Sequence, residues 1–289
     1  MPRLLKGIPM LFGAPTSDSR RCFAGRAALV VFAVATWGGQ GRAASSGSVN
    51  TVDFSYSKGK ESFQGLLSKP SEKAEVRGGV LVVHNWMGVT DETKKQAERF
   101  ASLGFVVVSA DIYGKGVRPK DAKAAGALAG SFKSDRELFR KRLLQGFEEL
   151  SKLPELKDKP LFAAGYCFGG TGVVELARTG APVAGVLSFH GGLDSPKPSD
   201  GAKIRGKVLA FHGADDPFVP AADLAAFEGE MASNKVDWQL IKFGGAVHSF
   251  TDLGAGNDPS KGAAYDAKAD ARSWDMTRVM LDEWTKHSK

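Results

Sequence analysis

One cysteine in this 289-residue chain sits where a cysteine can do chemistry. Cys167 lies at the centre of Gly165-Tyr166-Cys167-Phe168-Gly169-Gly170. An apolar run, Leu161 to Ala164, precedes it, and a helix-like run, Thr171 to Thr179, follows. A strand, a sharp glycine-framed turn and a helix form a nucleophile elbow, which holds its central side chain out for attack on a carbonyl. A thiol in that position needs a base to make it thiolate and donors to receive an oxyanion.

Downstream, Asp216 stands in Gly213-Ala214-Asp215-Asp216-Pro217-Phe218, and His248 in Gly244-Gly245-Ala246-Val247-His248-Ser249. His248 is the expected general base and later general acid. Asp216 is expected to fix its tautomer, with Asp215 as the alternative acid. The expected oxyanion donors are backbone N–H groups, Phe168 after the nucleophile and Trp86 or Asn85 after the run Val80–His84. Asn85, Tyr113 and His190 are candidates for the substrate pocket. His84, His190 and His212 also end apolar runs. A metal site built from them is the sharper alternative to structural histidines, but their spacing lacks the paired ligands of common zinc motifs.

These residues need a scaffold that collects strand ends, and the chain provides one. Thr51–Tyr56 and Gln64–Lys69 read as an opening hairpin. Apolar runs at 80–84, 105–110, 161–164, 183–189, 208–211 and 237–243 read as strands. Helical patterns fall at 91–103, 122–153, 221–233 and 261–286, the second broken near Gly130 and stopped by Pro154. Such alternation predicts an α/β class with a mainly parallel sheet and helices on both faces. Its working site lies at the carboxyl ends of the strands. Trp274 and Trp284 are expected to anchor the closing helix, and Arg136, Arg140, Lys141 and Arg142 to form a solvated helix face.

The net charge of +7 is concentrated at the start of the chain. Residues 1–43 hold Arg3, Lys6, Arg20, Arg21, Arg26 and Arg42 against Asp18, leaving the remainder near +2. Nucleic-acid binding therefore gains no support from charge. Ser19-Arg20-Arg21-Cys22-Phe23 resembles a twin-arginine export motif. The apolar stretch Ala27–Trp37 has signal-peptide length, and Gly41-Arg42-Ala43 has small residues suited to cleavage. Residues 1–43 are read as a removed export signal, 44–50 as a linker and 51–289 as the catalytic domain. The mature protein would be periplasmic or secreted, without stable membrane insertion, with Cys167 as its remaining cysteine. A monomer or small homo-oligomer is expected.

With the elbow, the Asp216-Pro217-Phe218-Val219-Pro220 segment and Gly245-Ala246-Val247-His248-Ser249-Phe250 together, residues 50–287 resemble the dienelactone hydrolase family. The resemblance implies the α/β-hydrolase fold, no cofactor, and hydrolysis of enol-lactones or related esters by Cys167, His248 and Asp216. Two family features are missing. A glutamate that contacts the resting thiol is replaced by Asn85. A carboxylate-binding arginine is replaced by Asp252, and its companion has no counterpart around Lys120–Ala127. Loss of a guanidinium clamp points to a more neutral ester, lactone or thioester. The competing readings are a non-catalytic ligand-binding protein on this fold and the histidine-metal hydrolase.

Overall fold

The computed structural model describes residues 48–287, so the expectations for residues 1–43, Cys22 among them, lie outside the described residues. Eight strands form one sheet in the order β1-β2-β4-β3-β5-β6-β7-β8. The opening hairpin, β1 (Asn50–Lys58) and β2 (Glu61–Lys69), is antiparallel and joins β4 (Phe105–Ala110) antiparallel. Every later neighbour pair is parallel, through β3 (Gly78–Val83), β5 (Leu161–Tyr166), β6 (Gly185–Phe189), β7 (Lys207–Gly213) and β8 (Trp238–Phe243). The apolar runs are continuous because both faces are covered: all six residues of β3 and of β4 are buried.

The alternation along each strand sorts its side chains between two cores. Val80, Val82, Phe105, Val107, Phe162 and Leu187 face α1 (Asp91–Ser102) and α6 (Ala267–His287). Leu81, Val83, Val106, Val108, Ala163 and Val186 face α2 (Ala122–Ser134), α3 (Arg136–Ser151), α4 (Phe168–Arg178) and α5 (Ala221–Ser233). Helix α1 presents Ala97, Phe100 and Ala101 at helical spacing, and Thr90 and Thr93 close a capping box at its start. Trp284 is buried against Phe162, at a place where Gly185 leaves room for its ring.

Three expectations are corrected. The long helical pattern at 122–153 does not break at Gly130 but at Asp135, whose side chain accepts from Leu138 N–H and so starts α3. The closing helix starts at Ala267, not near Lys261, because Asp266 caps it through Lys268 and Ala269 N–H. The residues before it serve a different purpose: Gly262 O accepts from His248 N–H, and Ala264 N–H donates to His248 O. Trp274 is only half-buried, with the Arg99 guanidinium 4.3 Å from its ring centroid.

The basic cluster on α3 is the third correction. Arg136, Arg140 and Arg142 are largely buried, their side chains 10%, 18% and 12% exposed. Arg140 bridges Glu175 and Asp200, Arg136 binds Asp194, and Arg142 binds Glu61. The centre of this network is Arg178 on α4, fully buried, which forks onto both oxygens of Glu230 at 3.0 and 2.6 Å and reaches Glu175 at 2.8 Å. Its remaining N–H groups go to the carbonyls of Leu193 and Asp194. The network ties α3, α4, α5 and the loop after β6 together behind the elbow.

Candidate active site

The parallel strands deliver their chemistry to one end of the sheet. His84-Asn85-Trp86 follows β3, Asp111 follows β4, Cys167 follows β5, His190 follows β6, Asp216 follows β7 and His248 follows β8. Cys167 has φ 56° and ψ −113°, a conformation that costs a non-glycine residue about 1–3 kcal/mol. The surroundings enforce it. Cys167 N–H donates to Phe189 O on the neighbouring strand, and α4 starts at the next residue. A Cβ on Gly165 would lie 2.0 Å from Gly169 O, and one on Gly169 would lie 2.1 Å from Val83 O. Only glycine admits the first turn of α4 so close to β5 and β3.

His248 Nε2 lies 3.0 Å from Cys167 Sγ, and His248 Nδ1 lies 2.8 Å from Asp216 Oδ2. The other Asp216 oxygen accepts from Phe218 N–H at 2.8 Å, so the carboxylate is fixed at both ends. Asp215 is exposed, and of the two acids Asp216 is the one that reaches His248. His248 itself is held through its backbone by the Gly262–Ala264 strap, and the ring of Phe218 meets its imidazole edge-on.

The electrostatics of this row favour an ion pair. Burial raises the pKa of the Cys167 thiol, but the opposed His248, in charge and in hydrogen bonding, outweighs it, helped by the Lys133 ammonium and the Phe168 N–H. The thiol is thereby held below its ordinary value. Burial by itself would lower His248, yet the thiolate and Asp216 raise it to about 10. Thiolate and imidazolium are each favoured by the other, with Nε2–H donating to sulfur and Nδ1–H donating to Asp216.

The remaining candidates take different places. His84 is buried with both nitrogens occupied: Ile112 N–H donates to Nε2, and Nδ1 lies 2.6 Å from Asn85 O. Burial lowers its pKa to about 4, so it is a neutral brace. His190, at φ 41°, is buried, bonds Thr251 Oγ1 through Nε2 and sets its ring against that of His248, 5.4 Å between centroids. Burial followed by the neighbouring His248 lowers its pKa well below the ordinary value. It supports the His248 loop. Burial lowers His212 as well. His84 is spent on backbone bonds, against the alternative of a metal site built from these histidines, and among the described residues no cluster of three or more His, Cys, Asp or Glu is placed to hold an ion.

Asn85 Oδ1 accepts from Met87 N–H and shapes the turn after β3. Tyr113, also expected in the pocket, is buried and donates its hydroxyl to Trp86 O at 2.9 Å. Its ring packs on His84 and Phe168. Tyr113 thus joins the two segments whose N–H groups are the candidate oxyanion donors, and Asn85 shapes the first of them. Trp86 and Phe218 stand exposed at the rim.

The sequence profile of the dienelactone hydrolase family matches residues 63–284. The chain belongs to the dienelactone hydrolase family. Members of this family are recognisable among relatives at moderate identity. A Synechocystis protein provisionally named as a carboxymethylenebutenolidase is 26% identical over 217 residues, covering 70% of this chain and 84% of that protein. An uncharacterised Caenorhabditis elegans protein is 33% identical over 147 residues, 49% of this chain and 91% of its own length. Among solved structures, a dienelactone hydrolase-like promiscuous phosphotriesterase from metagenomic libraries is 37% identical with a TM-score of 0.77, covering 82% of this chain and 99% of that one. The fold is the α/β-hydrolase fold of the dienelactone hydrolases, as the strand order and the two helical layers show.

Proposed function

We propose that the protein is a cysteine hydrolase that cleaves an ester, lactone or thioester through an acyl-enzyme. The observation that carries this reading is the continuous row Asp216–His248–Cys167, with contacts of 2.8 and 3.0 Å, at a strained elbow. The Cys167 thiolate attacks the carbonyl carbon, and the carbonyl oxygen becomes an oxyanion received by the N–H groups of Phe168 and Trp86. As the tetrahedral intermediate collapses, the bond to the leaving oxygen or sulfur breaks, and His248 Nε2–H protonates that atom. His248, now neutral, takes a proton from water as the water attacks the acyl-thioester, and the acid departs with the thiolate restored. Asp216 keeps the proton on Nδ1 throughout. The same reading places the N-terminal 43 residues as a leader that exports the domain to the periplasm or beyond.

The test is direct trapping. Mixed with an activated short-chain ester and quenched within the first turnover, the protein is expected to gain one acyl mass on the peptide containing Cys167. A metal assay of the same sample and turnover in chelator separate the rival hydrolase. An enzyme that turns over the ester, never carries the acyl mass and is silenced by chelator would overturn the cysteine mechanism. A protein that neither reacts nor hydrolyses would be the non-catalytic binder.

The pH profile follows from the ion pair. Its acid limb reports protonation of Cys167, whose pKa is held down, so activity is expected to persist below the ordinary thiol range. Its alkaline limb reports loss of the His248 proton near pH 10. Asp216 is one of the groups that raise His248, so Asp216→Asn should move the alkaline limb of kcat/KM to lower pH. A limb that stays in place would remove Asp216 from the relay.

A further inference from the structure

Phe218 departs from the pattern of its own segment. In Asp216-Pro217-Phe218-Val219-Pro220 the acid and the valine are buried, whereas the ring between them is 61% exposed, more than any other aromatic ring among the described residues. A single exposed apolar side chain is ordinary on a protein surface, but this one is held in place. Pro217 and Pro220 stiffen the segment by fixing their own φ and restricting the residue before each. Val219 anchors it in the core, and Phe218 N–H donates to Asp216 Oδ1 at 2.8 Å. One edge of the ring rests at Gly262, where a Cβ would lie 3.2 Å from Phe218 Cζ and 2.7 Å from Pro217 Cγ. Glycine, at φ 80°, lets the strap that accepts from His248 N–H pass against this ring.

The ring is held against the group that must protonate the leaving atom. Its centroid lies 5.4 Å from that of the His248 imidazole, with the two planes at 88°. An open apolar surface therefore stands beside the imidazole whose Nε2 is 3.0 Å from Cys167 Sγ. When an acyl group is transferred to that sulfur, the two halves of the substrate part here. The carbonyl oxygen turns to the N–H groups of Phe168 and Trp86, and the leaving oxygen or sulfur must reach Nε2–H. The alcohol or thiol half thus comes to lie at the imidazole, with the Phe218 ring as its apolar neighbour. Asp215, exposed in the same turn, disfavours a carboxylate on that half.

We infer that Phe218 is a specificity-determining residue whose ring forms a leaving-group subsite, and that this subsite takes an aryl or similarly bulky apolar alcohol or thiol. This rests on the acyl-transfer reading above and names the half of the substrate that departs. The same surface works in the reverse direction. An apolar alcohol seated on it is placed to attack the acyl-thioester in place of water. Its oxygen bonds to the carbonyl carbon, His248 Nε2 takes its proton, the C–S bond breaks, and an ester leaves with the thiolate restored. Apolar alcohols are therefore acyl acceptors as well as leaving groups.

The experiment compares 2-naphthyl acetate with 2,2,2-trifluoroethyl acetate on wild type, Phe218→Ser and Phe218→Tyr. Both esters load the same acetyl group and differ in the half that leaves. Any loss that Phe218→Ser causes through the contact with His248 falls on both alike. The naphthyl ester is expected to lose about tenfold more in kcat/KM, the worth of returning roughly 55 Å² of apolar surface to water. Phe218→Tyr keeps the ring and should keep the preference. In a second measurement, wild type turning over the trifluoroethyl ester with benzyl alcohol present should form benzyl acetate beside acetate, and Phe218→Ser should lower that product ratio by about the same factor. The ratio is a partition of one acyl-enzyme, so a variant that merely folds less well or ionises its thiol less leaves it in place. Equal losses on both esters, a preference lost as fully in Phe218→Tyr as in Phe218→Ser, or a product ratio that Phe218→Ser does not change would overturn the inference and leave the cysteine mechanism intact. Failure of wild type to hydrolyse either ester would instead remove the acyl-transfer reading itself.

Discussion

Cys167→Ala is expected to lower kcat/KM for an activated ester by about 10³-fold or more, with the far-ultraviolet spectrum and melting temperature preserved. The size follows from what remains. Without sulfur there is no acyl-thioester, and His248 and the oxyanion donors are left with water as nucleophile. The fold should tolerate the change, because the positive φ is imposed by Phe189 O and the α4 backbone and not by the side chain. Cys167→Ser is the more informative partner. A serine hydroxyl in the same place cannot be ionised by an imidazole that is tuned to pair with a thiolate, so it should recover only a small part of the loss. If Cys167→Ala and Cys167→Ser both turn over the ester at the wild-type rate, the nucleophile is elsewhere.

The second large effect is expected on stability. Arg178→Met should destabilise the domain by about 3–5 kcal/mol, which for a domain of this size lowers the melting temperature by roughly 6–20 °C. The guanidinium is fully buried and directs its N–H groups to Glu230, Glu175 and two carbonyls. Removing it strands the Glu230 carboxylate in the interior, whereas Glu175 keeps Arg140. The loss therefore measures an uncompensated charge more than the worth of the bridge. Arg178→Met combined with Glu230→Leu should regain much of it, since the charge left behind is then gone. If the double variant melts no higher than the single one, the stranded carboxylate is not the cause. The loop carbonyls of Leu193 and Asp194 also lose their donor, so the loop after β6 should loosen with the single variant.

Much of this architecture is legible in the chain because it is local. The strand β4 and the helix α5 match the residue ranges read from apolar pattern and stop signals. The order of Cys167, Asp216 and His248 already implies the row, since each follows a strand and parallel strands end together. What resisted reading is what depends on distant residues. The arginines of α3 look like a solvated stripe because Glu175, Asp194 and Asp200 are tens of residues away. The start of α6 is not legible because the pattern at 261–266 gives no sign that Gly262 and Ala264 are committed to His248. Asn85, Tyr113 and His190 stand next to the chemistry, each bonded to a segment that frames it.

The elbow has a consequence for when its thiol becomes reactive. Its geometry is assembled from Val83, Phe189 and the α4 turn, and its charge state from a histidine 81 positions further along the chain. Before those segments meet, Cys167 is an ordinary alkyl thiol, with the pKa near 8.5 of a free cysteine and no strained turn to display it. Nucleophilicity is thus a product of completed tertiary structure, acquired only after the most distant strand has docked. A nascent or unfolded copy of the chain carries the same six-residue motif in a chemically muted form, and is shielded from indiscriminate acylation or oxidation until the fold has closed.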